Sequence, residues 1–115
     1  MVLQFCKHVQ MALPNSGKLV RDRIPQIIAE AGVQKRYTAI APADMRDALR
    51  SKLEEEVFEL TSCSAGSELE ELADVLEVLL SLSDTLGYSW SEVIQQAEKK
   101  RSSRGGFSLG IWLHD

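Results

Sequence analysis

A chain of 115 residues with 44% apolar and 26% charged side chains, three prolines and seven glycines is sized for one soluble globular domain that needs no disulfide or structural metal to hold it. Its formal net charge of −4 is unevenly placed, with acidic residues crowding positions 54 to 77 and Lys99, Lys100, Arg101 and Arg104 crowding the end of the chain. Duplex nucleic acid needs a basic face and is argued against; an acidic centre with a separate basic patch suits a cation plus a small anionic ligand.

In chain order, residues 1–17 read as an amino-terminal extension, set off by the turn cluster Pro14-Asn15-Ser16-Gly17. Gln4, Lys7, His8 and Gln10 break its apolar run below signal length, and no later stretch approaches a membrane span, so a cytoplasmic protein is expected. Cys6 and Cys63 form no C-x-x-C pair and read as ordinary reduced thiols. Ile24 to Gly32 reads as a short helix, with Pro25 in its first turn and Gly32 as terminator. Val33 to Ile40 has no decisive period, and an extended segment is one reading of it.

A second helix is expected from about Asp44, an N-cap after Pro42, to about Thr61, with Met45, Leu49, Leu53, Val57 and Leu60 on one face. After a short connection, Ser67 and Glu70 have the spacing of a capping box that opens a third helix, running to Leu86 and ending at Gly87. Helices two and three should then be antiparallel neighbours. Ser89 and Glu92 repeat the capping-box spacing for a fourth helix, which runs toward Arg101 and stops before Gly105-Gly106. The expected architecture is an all-α bundle of about four helices over residues 18–115. The apolar arc of helix three, Val78 round through Leu79, Leu72, Leu76, Leu69 and Leu80, is too wide for one neighbour, which predicts a homodimer or dimer of dimers.

At about 100° per residue, Glu56 falls between Met45 and Leu49 inside the apolar stripe of helix two, with Glu59 at its edge and Glu54 opposite. On helix three, Glu71 falls between Val78 and Leu82 and Asp74 lies at the margin. Each helix therefore offers an inner carboxylate with a neighbour three positions on, and two antiparallel helices can bring four carboxylates around one point. Two such charges about 4 Å apart repel by roughly 4 kcal/mol at an effective dielectric near 20. The charges must be neutralised by a cation, by protons or by separation, and an all-oxygen group of this kind suits a hard cation. The plain alternative is a solvated acidic face with pairs such as Lys52 with Glu56, a description that fits Glu54, Glu68, Glu70 and Glu77.

Glu55-Glu56-x-x-Glu59 followed by Glu71-x-x-Asp74 resembles the signature of the all-alpha nucleotide pyrophosphohydrolases, the MazG-type superfamily. Lys18-Leu19-Val20-Arg21-Asp22-Arg23-Ile24-Pro25 and Lys100-Arg101-x-x-Arg104-Gly105-Gly106-Phe107 are similar to the two ends of its phosphoribosyl-ATP pyrophosphohydrolase-like branch, so the resemblance covers residues 18 to 113. It implies a helical fold assembling at least as a dimer, Mg2+ (with Mn2+ able to substitute) bound by both motifs, cleavage of a nucleotide between its α and β phosphates, and a house-cleaning role. By the same resemblance the metal ligands would be Glu56, Glu59, Glu71 and Asp74; Glu55, which points further from the apolar stripe, is then expected to hold or deprotonate the attacking water, directly or through a second metal.

The leaving pyrophosphate needs basic groups, for which Lys52, Lys100, Arg101 and Arg104 are the candidates and Lys18, Arg21 and Arg23 can add others. The branch name does not establish phosphoribosyl-ATP as the substrate. His8 and His114 lie outside the acidic helices, so neither supplies the Glu-x-x-His pattern of a di-iron bundle. The competing reading is a non-catalytic bundle that binds nucleotide as a sensor.

Overall fold

The computed structural model describes residue 13 and residues 16–115. The expected extension over 1–17 therefore lies almost wholly outside the described residues, as do Cys6 and His8. The order is α1 (Ile24–Glu30), a 3-10 turn (Pro42–Asp44), α2 (Met45–Ser62), α3 (Glu68–Thr85) and α4 (Trp90–Arg104). All regular structure among the described residues is helical, as expected. No described helix is long and apolar enough to cross a membrane.

Helices α2 and α3 pack against each other and form the body of the bundle. Each has 18 residues and so runs about 27 Å. The connection between them, residues 63–67, spans at most about 20 Å. It cannot return the chain to the start of a parallel partner, so the two helices run antiparallel. Ala48 and Leu49 of α2 and Val78 of α3 are buried between them.

The two capping boxes expected from sequence have different outcomes. Ser89 sits in extended backbone (φ −73°, ψ 154°), its Oγ accepts from the Glu92 amide at 3.1 Å, and Glu92 Oε1 accepts from the Ser89 amide at 3.1 Å. Ser67 has helical backbone (φ −97°, ψ −5°), and its side chain makes no cap. An N-cap oxygen reaches the first-turn amides only from extended backbone, so the Ser67–Glu70 box does not form. Glu68 instead folds back to accept from the Gly66 amide at 2.7 Å, and Gly66 supplies the positive φ of 97° that this turn requires. Asp44, the last residue of the 3-10 turn, likewise lies in helical backbone and caps nothing with its side chain. Ser89→Ala is therefore expected to cost about 1 kcal/mol in urea unfolding of the full chain. Ser67→Ala should stay within about 0.5 kcal/mol of the parent, and equal losses at both serines would refute the distinction.

Gly32, at φ 82°, follows α1 as expected. The segment 33–41 forms neither helix nor strand, and Tyr37 ties it to α1 by donating to the Pro25 carbonyl at 3.4 Å.

Candidate metal centre

Glu56 on α2 and Glu71 and Asp74 on α3 come together: each offers a carboxylate oxygen, and these oxygens lie within 4.8 Å of one another. The antiparallel hairpin produces the meeting. Glu56 stands one helical turn beyond Lys52 on the face of α2 that holds Ala48 and Leu49, while Glu71 and Asp74 share the face of α3 that holds Val78. The side chain of Glu56 is only 12% exposed. Its place inside the apolar stripe was legible from spacing alone.

Glu59, the fourth ligand implied by the resemblance, is exposed and outside this group. Its charge still acts on Glu71. Partial burial first, and then the charges of Glu59, Asp74, Glu56 and Glu70, hold the Glu71 carboxyl above the usual carboxylate range. Glu71 has no cationic partner among the described residues, whereas Lys52 Nζ lies 3.1 Å from Glu56 Oε1 and Arg21 Nη2 donates to Asp74 Oδ1 at 2.7 Å. An all-oxygen donor set with one uncompensated carboxylate fits a hard divalent cation such as Mg2+ or Mn2+.

Glu55 takes two cations, Lys52 at 2.8 Å and Lys18 at 3.5 Å. The hydrogen bond from Lys52 outweighs partial burial and, with the charges of Lys52 and Lys18, holds the Glu55 carboxyl below its usual range. This makes Glu55 a weak base that stays ionised and can accept a hydrogen bond from water. Burial works against the charge on Lys52, but its bonds to Glu55 and Glu56 prevail and its pKa is raised. Lys52 is therefore engaged with carboxylates, not held out as a free phosphate ligand.

Lys100, Arg101 and Arg104 stand exposed at the end of α4, and none is in an ion pair among the described residues. The sequence had pointed to these groups ahead of Lys18 and Arg21, yet Lys18 and Arg21 are the ones that reach the acidic face. A concavity of about 310 Å3, lined in part by Arg46, Asp47 and Arg50, contains none of the clustered carboxylates. Neither does an apolar groove of about 200 Å3 between α3 and α4. The thiol of Cys63 donates to the Leu60 carbonyl at 3.4 Å, and partial burial together with Glu68 and Glu71 pushes its pKa up, which keeps it protonated and poorly nucleophilic. Comparison with protein-family models, with curated proteins and with solved structures finds no match to this chain.

Proposed function

We propose that this chain is a Mg2+-dependent pyrophosphohydrolase that cleaves a nucleoside triphosphate, or a related nucleotide, between the α and β phosphates. The observation that carries the reading is the meeting of Glu56, Glu71 and Asp74. Glu56 and Glu71 stand out by their inward position and Asp74 by its place three positions on in the second motif, and their carboxylate oxygens converge within 4.8 Å. Glu56 and Asp74 are each paired with a cation, whereas Glu71 has none among the described residues, and that uncompensated charge beside two other carboxylates favours a bound cation.

Glu56, Glu71 and Asp74 would hold the metal, which when bound offsets phosphate charge and makes the phosphorus easier to attack. Glu55 accepts a hydrogen bond from the attacking water and orients it. Its lowered pKa argues against full deprotonation by this residue. Water adds to the α-phosphorus and its proton is released to solvent, the bond to the α–β bridging oxygen breaks with its electron pair staying on pyrophosphate, and pyrophosphate leaves against nearby cations. A nucleotide panel incubated with Mg2+, with products resolved by 31P NMR, is expected to give monophosphate and pyrophosphate from triphosphates. Inorganic phosphate as the primary product would move the protein to another reaction class. Saturable binding without turnover would favour a sensor.

A further inference from the structure

Two cations from one short segment stand on carboxylates of two different helices. Lys18 Nζ lies 3.5 Å from Glu55 Oε1 on α2, and Arg21 Nη2 donates to Asp74 Oδ1 on α3 at 2.7 Å. The segment precedes α1 and is not helical, and both cationic side chains are more than half exposed. Lys52 is held quite differently. It belongs to α2 itself, its side chain is only 15% exposed, and it is gripped by Glu55 and Glu56 at once. One cation is built into the bundle, while Arg21 rests on it through a single bond to Asp74.

On the reading of the acidic group as a metal site, we infer that Arg21 is an exchangeable counter-ion. It pairs with Asp74 while the site holds no cation, gives up that carboxylate when a metal binds, and then holds a phosphate oxygen of the substrate. A divalent cation among Glu56, Glu71 and Asp74 puts like charge beside the guanidinium and weakens its hold on Asp74. The freed guanidinium then meets an anion whose oxygens match its planar fork, a match that the compact ammonium of lysine lacks. Asp74 keeps a cationic partner in both states, since it loses the arginine only as it gains the metal.

Calorimetry on the full chain tests this with two probes, Mg2+ alone and then pyrophosphate added to the Mg2+-saturated protein. Arg21→Gln is expected to bind Mg2+ about two- to fivefold more tightly, the size of an exposed ion pair removed from competition. It should bind pyrophosphate about tenfold more weakly or worse, the size of a lost charge-assisted hydrogen bond. Arg21→Lys retains the competition for Asp74 and should fall between parent and glutamine variant on pyrophosphate. A parent protein that binds no Mg2+ defeats the metal reading and this inference together. A parent that binds Mg2+, with an Arg21→Gln variant whose Mg2+ affinity is unchanged or lower, overturns the exchange and leaves the metal reading standing.

Discussion

Glu56→Gln and Asp74→Asn are each expected to lower Mg2+-dependent turnover by more than about a hundredfold, because groups one step removed from a metal already cost about ten- to a hundredfold when lost. Glu54→Gln, on the exposed opposite side of α2, should match the parent. The losses should not come from unfolding. Glu56→Gln leaves Lys52 bonded to Glu55 at 2.8 Å, so no buried charge is stranded, and it relieves one of the repulsions acting on Glu71. Its melting temperature without metal is expected to be no lower than that of the parent. Asp74→Asn loses the Arg21 ion pair, but that pair is exposed and contributes at most about 1 kcal/mol. Steady-state rates beside circular-dichroism melts check both statements. Equal rates in all three variants would show that these carboxylates hold no essential metal, and a collapsed helical spectrum would make their role structural.

The second expected result is a homo-oligomer. Helix α3 buries one face against α2 and leaves a row of leucines elsewhere: Leu69, Leu72, Leu76 and Leu79 are all exposed, Leu69 by 79%. Their spacings of three, four and three are those of an a/d seam, the pattern by which one helix packs along another. The exposed set continues past α4, where Phe107 is 99% exposed and Leu109, Ile111, Trp112 and Leu113 are also largely uncovered. Only Ala48, Leu49 and Val78 form the buried apolar core among the described residues, which is little for a domain of this length. Each leucine that goes from exposed to buried contributes about 1.5 to 3 kcal/mol, and a two-fold interface uses each side chain twice. The sum is of the size needed to offset an association cost of several kcal/mol. Light scattering at micromolar concentration should give a multiple of the 12.8 kDa chain mass, and Leu72→Glu or Leu76→Glu should return it toward one chain. A parent that already scatters as a monomer contradicts the expectation.

The order and type of the helices were legible because apolar period and Gly–Pro punctuation agree along most of the chain. Helix ends fell within a few residues of expectation, since Gly32, Gly66 and Gly87 all take the positive φ that terminates or turns a helix. The inward carboxylates were legible for a similar reason. Glu56 and Glu71 interrupt apolar stripes, and an interruption shows in any helical projection. What failed was information that local spacing does not carry. Ser67 and Ser89 have the same pattern, and only the backbone they inherit from the preceding turn separates a capping box from a bare helix start. Arg21 was one of seven basic candidates, and nothing near it in the chain indicates Asp74, 53 residues away. Val33 to Ile40 stayed ambiguous because that stretch forms neither kind of regular structure.

The separation between Arg21 and Asp74 also bears on the order in which this protein comes together. The carboxylates meet across a helical hairpin closed by five residues, Glu56 lying 15 positions from Glu71 and 18 from Asp74. Arg21 reaches Asp74 across 53 positions. Nearby contacts form ahead of distant ones because less chain must be confined to make them. A hairpin newly made would thus hold its three acids together with Lys52 as the sole neighbouring cation among the described pairs, and the partner of Asp74 would arrive last. On this view the amino-terminal segment acts as a late latch on a hairpin crowded with like charge, and dissolved divalent ions would stand in for it during refolding.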